Sequence, residues 1–385
     1  MKIKSGWFAG IANAKLSAPW SNTFGQTDVT MRGKKMSIAF LLAVLLGSLV
    51  VADRLGFALE KEHNRCRQHQ FGPFSDWSEP VNLGPVVNSA FNDQHPAISP
   101  NGLSLYITSD RPGGFGFPNF DIYVSQRASL DDNWGPPQNL GPIINTKFPD
   151  QNSVPTFSAD GHRMYFCANR PGGFGGDDIW VSFRENTTDD FAWQPPTNLG
   201  SGVNTDKSEC GPTIFEDRHE GVTTLYFTRC VSERPADCGF FNPNQKFDIY
   251  ASTLSDDETF GTAVPVSELN SGFRDTRTSI RNDGLEFFLT SSRPGGFGAL
   301  DLWVSTRAST IDPWSAPVNL GPTLNTMFAE GAPALSCDAT TLYFYSNRPG
   351  AFGNNDLYVT TRHRLRDEDK NSDGDEKDRD GDDNE

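Results

Sequence analysis

The sequence has few positive charges for its length. It contains 33 Lys and Arg against 49 Asp and Glu, which gives a net charge of −16 and a pI of about 4.8. Proteins that bind nucleic acids hold the phosphates with clustered Lys and Arg side chains. The composition therefore argues against a nucleic-acid partner.

Motifs for nucleophilic catalysis, phosphate binding and zinc binding are also missing. None of the six His accompanies a Ser or Cys nucleophile in a motif, so a catalytic triad is unsupported. The Gly-rich stretches lie between predicted strands and not before a helix, which excludes a phosphate-binding loop. The six Cys show neither CxxC nor Cys/His spacing, and we predict no metal site from them.

The longest apolar run is short for a membrane span. Residues 37–52 follow the basic stretch Met31 to Lys35 and end in Ala52, a pattern typical of a signal peptide over residues 31–52. About 20 apolar residues are needed to cross a bilayer, so contact with a membrane is expected only if residues 37–52 are retained as an anchor. We predict an exported protein, periplasmic or extracellular, with residues 1–30 upstream of the true start and residues 53–75 as a linker.

Export makes disulfides feasible. Cys230 and Cys238 flank an irregular hairpin, and this position makes them the candidate pair for a local disulfide. The alternative is two unpaired thiols on a loop.

Residues 364–385 form an acidic tail that we predict to be disordered. Its stretch Asp369, Asn371, Asp373 and Asp375 matches the first half of a Ca²⁺-binding loop. Position 12 of that loop would be Asp380 in place of the usual bidentate Glu, which favours a solvated tail over a Ca²⁺ site. No cofactor is required by the sequence, and Ca²⁺ is the one that it leaves open.

One sequence motif recurs through the chain. RPGGFG or RPGAFG begins at Arg111, Arg170, Arg293 and Arg348, and each copy is followed by a strand that opens with Asp. A fifth copy is interrupted, keeping Arg234 and Asp248 around an insertion. A repeat of this length indicates one small structural unit used several times.

Each repeat predicts four antiparallel strands, A to D, which is a propeller blade. Five A-B-C sets occupy residues 76–363, and the segment Trp77 to Leu83 supplies the D strand that the last set lacks. The fold class predicted is therefore all-β: a five-bladed β-propeller with four antiparallel strands per blade, closed by the N-terminal strand.

The repeats resemble a known family. The turn Ser158 to Gly161, the Tyr165-Phe166 strand, the RPGG hairpin and the Asp178-Ile179-Trp180 strand are similar to the WD40-like repeat of TolB-type β-propellers. This resemblance implies an exported bacterial protein that binds proteins, envelope components or ligands. It implies no single activity, since propellers serve many functions. Blade three departs from the pattern, with Glu216 to His219 in place of the turn.

Polar residues at the predicted mouth of the central channel are the candidates for ligand binding. They stand where the A strands begin and are Asp93, His95, Asn152, Glu209, Asp275, Arg277 and Glu330. Paired carboxylates there would suit a cation site or the acid and base of a glycosidase. The alternative is that each acid pairs with an Arg of its own blade. Repetition favours this pairing, because catalysis needs different residues in different roles.

A second recurring clamp is predicted between the Arg of RPGG and the Asp that opens strand C, whose carboxylate can accept from the Arg or from N–H groups of the loop. Its members are Arg111, Asp121, Arg170, Asp178, Asp248, Arg293, Asp301, Arg348 and Asp356. The Phe of RPGGFG either packs on its own loop, which we favour, or offers an exposed ring to a ligand.

These features favour an exported, non-enzymatic propeller scaffold that binds a protein, a glycan or another envelope ligand. We expect the binding surface on the face of the D–A and B–C loops, because those loops are long. The alternative function is a carbohydrate-active enzyme, glycosidase-like, that uses the carboxylates at the channel mouth.

Overall fold

The computed structural model describes residues 72–115, 120–147, 153–232, 238 and 245–365. Within this part of the chain no helix is long and apolar enough to span a membrane. The predicted signal segment and the acidic tail, with Asp369, Asn371, Asp373 and Asp375, lie outside the described residues.

Five four-stranded antiparallel sheets form a five-bladed propeller, as the repeats predict. The A strands are β2 (Asp93–Ile98), β6 (Ser153–Phe157), β10 (Glu209–Asp217), β14 (Asp275–Ile280) and β18 (Glu330–Leu335). The B strands are β3 (Ser104–Ser109), β7 (Arg163–Ala168), β11 (Val222–Cys230), β15 (Glu286–Ser291) and β19 (Thr341–Ser346). The C strands are β4 (Asp121–Gln126), β8 (Asp178–Phe183), β12 (Phe247–Thr253), β16 (Asp301–Thr306) and β20 (Asp356–Thr361). The D strands are β1 (Val81–Asn82), β5 (Gln138–Asn139), β9 (Thr197–Asn198), β13 (Val264–Pro265) and β17 (Val318–Asn319).

The ring closes as predicted. Strand β1 pairs with β20, with Val81 opposite Val359 and Asn82 opposite Tyr358. The first described strand thus completes the fifth blade, and the two ends of the domain hold each other in place.

Four of the A strands begin at the acidic position, and β6 begins at Ser153. Each has a register shift two or three residues after its start, for example between Gln94 and Ala97 in β2. The shift coincides with Pro in four of the five blades, because Pro has no N–H to donate to the ladder and is accommodated at a bulge. The D strands are shorter than predicted for the same reason, since Pro136 and Pro137 precede the paired Gln138.

The core lies between adjacent blades. Blades one and two share a buried cluster in which the rings of Tyr106 and Phe157 are 4.7 Å apart. The Trp a few residues before each regular D strand is covered by an Arg that follows strand C. An example is Arg184, which lies 4.3 Å from the ring of Trp193. A cation held over an indole ring is attracted by its π face, so this Arg helps to fix strand D.

Candidate functional site

The acidic residues that open the A strands are buried and paired. Asp93, Glu209, Asp275 and Glu330 have side chains with no exposed surface. Asn152, the fifth member of the predicted set, lies outside the described residues. Desolvation by burial raises the pKa of Glu209 despite its hydrogen bonds and its Arg partner.

Each of these acids binds an Arg and the preceding D–A loop. The Asp275 carboxylate accepts from Arg293 at 2.6 Å, from the Ser291 hydroxyl at 2.6 Å and from the N–H and hydroxyl of Ser271. Glu330 makes the corresponding contacts with Arg348, Ser346 and Thr326, and Asp93 bonds to Arg111. With their lone pairs occupied and no access to solvent, these carboxylates are not placed for acid–base catalysis.

Blade three builds the same ion pair from a different Arg. The partner of Glu209 is Arg229, whose Nε lies 2.8 Å from the carboxylate. Arg229 stands directly opposite Glu209 on strand β11, whereas the regular Arg comes from the RPGG loop. Residues 233–237 of the interrupted repeat lie outside the described residues.

Of the two partners predicted for the Asp of strand C, the loop N–H groups are confirmed and the RPGG Arg is not, because that Arg binds elsewhere. The Arg side chains (Arg111, Arg293 and Arg348) bind the A-strand acids, and Arg170 donates to the carbonyl of Ile144 at 2.7 Å. The C-strand acids accept instead from the Phe N–H of the same loop, at 2.5 to 2.8 Å for Asp121, Asp178, Asp301 and Asp356. They also accept from the amide of an Asn in strand D. For Asp248 of blade three, burial raises the pKa of the carboxyl.

The D–A loops are held by a second Asn. In blade two the Asn204 side chain donates to Asn198 and to the Ile179 carbonyl, and accepts from the Ile179 N–H. The pattern repeats with Asn88, Asn145 and Asn325. The length and polarity of these loops therefore serve the fold, which removes the reason for expecting the binding surface on their face.

Residues at the bulges close the channel at this end. His95, Arg277 and Ala332 have φ values of 53°, 49° and 52°, and all three are buried. His95 Nδ1 lies 2.9 Å from the Thr108 hydroxyl, and its ring meets Tyr345 edge-on. Burial and the nearby Arg277 and Arg274 hold the pKa of His95 well below 6.5. Burial also lowers the pKa of Arg277 to about 9.

A cavity of about 760 Å³ occupies the other end of the channel. Its walls are the second halves of all five A strands, and its inner end is a ring of Pro96, Pro155, Pro212, Thr278 and Pro333. This volume lies within the range of small-molecule binding sites. The cavity opens toward the A–B turns, opposite to the face predicted from the sequence.

Blade three forms a raised wall of this cavity. In the other four blades the A–B pairing ends at a position equivalent to Ile214↔Leu225, for example Phe157↔Met164. Strands β10 and β11 continue for three more pairs, to Asp217↔Val222. This hairpin is four residues longer than the others, two in each arm, so at about 3.3 Å per residue its tip extends about 7 Å beyond its neighbours.

The wall carries several charged side chains. Glu216, Asp217, Arg218, His219 and Glu220 line the cavity, together with Asp283 of blade four. Although burial acts to raise the pKa of Asp217, hydrogen bonds from Thr310 and from the N–H groups of Glu220 and His219 outweigh it, and the pKa is lowered. Asp217 is therefore ionised at neutral pH. These residues were not among the predicted site residues, although the irregular turn in blade three marked their position.

The five cysteines within the described residues are disulfide-bonded. Cys230 pairs with Cys238 across the interrupted hairpin. Cys167 of β7 pairs with Cys210 of β10 and joins blades two and three, a bond that sequence spacing did not suggest. Cys337 at the cavity is also in a disulfide. Among the described residues no group of three His, Cys, Asp or Glu is placed to hold a metal ion.

No family model and no curated protein matches the chain. The TolB-type family is therefore not shown.

Solved structures do match. One is a thermostable family-43 glycoside hydrolase with 12% identity and a TM-score of 0.49, covering 74% of this chain and 94% of that one. Another is the GH62 α-L-arabinofuranosidase catalytic domain of Coprinopsis cinerea, with 11% identity and a TM-score of 0.47, covering 76% and 97%. A third is an endo-arabinase from Bacteroides thetaiotaomicron, with 16% identity and a TM-score of 0.47, covering 76% and 99%.

These findings correct the leading functional prediction. The structures that match the chain are glycoside hydrolases and not binding scaffolds, in contrast to the predicted non-enzymatic scaffold with its binding surface on the loop-rich face; at 11 to 16% identity this likeness shows the fold alone. The molecule itself points away from that face, since its cavity opens at the opposite end. The alternative prediction, a carbohydrate-active enzyme, placed its carboxylates at the starts of the A strands. The four described acids there are buried in ion pairs and are not placed for that role.

Proposed function

We propose that the protein is a carbohydrate-active enzyme that takes an oligosaccharide into the cavity at the A–B end of the channel. The observation that carries the proposal is the blade-three hairpin, which sets carboxylates on the wall of a ligand-sized cavity. Hydrolysis of a glycosidic bond uses two carboxyl groups, one protonated and one ionised. The A-strand acids cannot serve, because all four described ones are buried in ion pairs.

Asp217 and Glu220 are the candidate pair. Asp217 has a lowered pKa, which suits the ionised carboxylate that activates water or attacks the sugar. Glu220 is exposed on the turn at the cavity wall, and its N–H donates to Asp217 at 3.2 Å. Glu220 is assigned the role of proton donor.

The two remaining acids of the cavity wall, Glu216 and Asp283, are held by hydrogen bonds. Glu216 accepts a hydrogen bond from the Ala159 N–H of blade two. Asp283 accepts from Arg281 at 2.8 Å and from the Leu285 N–H. Both carboxylates are held by structural donors, so their role is to shape the wall.

The test is cleavage of a panel of oligosaccharides by the full chain. Xylotriose and cellotriose, the sugars named with two of the matched structures, and arabino-oligosaccharides are suitable first probes, with products separated by chromatography. Changing Asp217→Asn or Glu220→Gln should lower the rate by about 10²-fold or more, the usual contribution of one acid–base group. Glu268→Gln, an exposed acid of the D–A loop before blade four, is the matched control and should leave the rate unchanged.

Two results would refute the proposal. One is the absence of binding and cleavage across the panel. The other is cleavage that persists at full rate in both Asp217→Asn and Glu220→Gln.

A further inference from the structure

The described part of the chain fills the D–A end of the channel. The first three positions of four A strands, β2, β10, β14 and β18, are buried there, including Gln94, His95, Thr276 and Arg277 with at most 8% of their surface exposed. None of these residues lines the cavity, which stops at the ring of Pro96, Pro155, Pro212, Thr278 and Pro333. Among the described residues the channel is therefore a well that opens at the A–B end.

The well is deep relative to one sugar ring. Between Pro212 at its inner end and Asp217 on its wall, strand β10 rises about 17 Å at roughly 3.3 Å per residue. The side chains in between are small or apolar, such as Thr213, Ile214 and, on the neighbouring strand, Ser279. A chain of sugars laid across the opening would leave the inner half of this volume empty.

The wall of the well is uneven. The hairpin tip from Asp217 to Glu220 and the C–D loop of blade four both line the cavity, and in that loop Ile311 has 82% of its surface exposed. Ile311 also lines the cavity. A ligand that leaves the well therefore passes an apolar side chain and the exposed polar side chains of Arg218 and His219.

We infer that the protein recognises the end of a glycan chain. The terminal sugars enter the well, Asp217 and Glu220 meet the bond between the buried and the emerging sugars, and His219 and Ile311 contact the units that remain outside. This inference rests on the proposed function, and it makes the enzyme exo-acting. Water then adds across one glycosidic bond near the chain end, with one proton going to the leaving oxygen and the hydroxyl to the sugar carbon.

Blocked oligosaccharides provide the test. Xylohexaose, cellohexaose and arabinohexaose would be prepared with free ends, with biotin at either end and with biotin at both ends. Each form would be complexed with streptavidin, which is too large for the well, and its affinity for the full-length protein measured. We expect one of the singly blocked forms to bind like the free sugar and the doubly blocked form to bind about tenfold more weakly or worse.

The outcomes separate this inference from the proposed function. Equal binding of free and doubly blocked chains would overturn chain-end recognition while leaving the saccharide site in place. Absence of binding by every free hexaose would overturn the proposed function, and this inference with it.

Side chains at the rim of the well allow a second test that does not depend on cleavage. His219→Ala and Ile311→Ala should weaken binding of the hexaose several-fold and leave binding of the corresponding disaccharide unchanged. Phe352→Ala, an exposed residue at the opposite end with 48% of its surface accessible, is the control. Equal losses for the disaccharide and the hexaose would contradict the placement of the chain end in the well.

Discussion

The two ends of the central channel are built in opposite ways. At the D–A end the blades repeat one arrangement, in which a buried acid meets an Arg and a loop hydroxyl. At the A–B end the blades differ, and blade three extends three strand pairs beyond the others. The repeated acids are buried and ion-paired, whereas the irregular hairpin of blade three borders the cavity. The polar residues that recur in a propeller are thus evidence of how its blades are held, and the place where the repeat is broken is the better guide to a site.

The largest effect should come from breaking one ion pair at the closed end. Arg293→Met leaves the Asp275 carboxylate buried without its cation, and the free energy of unfolding should fall by about 3 kcal/mol, as is usual when one partner of a buried pair is removed. Urea denaturation measures the loss. The double variant Asp275→Asn with Arg293→Met removes the stranded charge and should recover part of the stability. A loss below about 1 kcal/mol for Arg293→Met would mean that the repeated pairs do not hold the blades.

Two glycines at the A–B end compare a packed turn with an open one. Both Gly284 and Gly221 have positive φ, at +72° and +69°. A Cβ at Gly284 would come within 2.3 Å of the Phe215 ring, whereas at Gly221 it would meet no atom within 4 Å. Gly221→Ala should cost about 1 kcal/mol for the left-handed backbone alone. Gly284→Ala adds overpacking of a buried ring and should cost about 2 to 4 kcal/mol in total.

Thermal or urea unfolding of both Gly variants provides the measurement. Equal losses for the two would show that Phe215 moves aside and that the base of the hairpin is loosely packed. That result would weaken the distinction between the packed turn at Gly284 and the open turn at Gly221.

The closed end should also respond to pH through His95. Its folded-state pKa lies below 6.5 because burial, followed by Arg277 and Arg274, opposes the charged imidazole. The unfolded chain therefore binds the proton more tightly than the folded one. The stability that this group contributes is present above pH 6.5 and is lost as the pH falls toward the folded-state value.

Comparison with His95→Asn isolates this effect. Asn tolerates the left-handed backbone at this position, and the variant should lose less stability than the parent between about pH 7 and 5. Buried Glu209 has a raised pKa and acts in the opposite sense, favouring the folded state at low pH, but it is common to both proteins. Parallel pH profiles for the two would show that His95 is not held neutral.

The sequence predicts the architecture well because the repeat is strict. Turn residues and alternating strands recur five times, and counting them gives the number of blades and the closing strand β1. The contacts are predicted less well, because they depend on distances that spacing does not encode. Arg111 and Asp121 are neighbours along the chain, yet Arg111 reaches Asp93 across the blade. Cys167 and Cys210 are 43 residues apart and meet only because blades two and three are adjacent.

The cavity lies opposite the predicted binding face for a related reason. Long loops suggest a binding face, but in this propeller their Asn side chains hold the blade, as Asn204 does. Strand length was the relevant signal. The departure of blade three from the repeat could be seen at Glu216 to His219, but only the pairing register shows that it lengthens the hairpin toward the channel.

The smallest effect on stability is expected where the effect on activity is largest. Glu220 is exposed on the hairpin tip, so Glu220→Gln should change the free energy of unfolding by no more than about 0.5 kcal/mol, as surface substitutions usually do. The same substitution should abolish most of the cleavage proposed for the cavity. The Arg293→Met protein should show the reverse: lower stability, with the affinity of the remaining folded molecules for oligosaccharide unchanged. If Glu220→Gln destabilised the propeller as much as Arg293→Met, the hairpin would belong to the framework of the blades, and the contrast between the two ends of the channel would disappear.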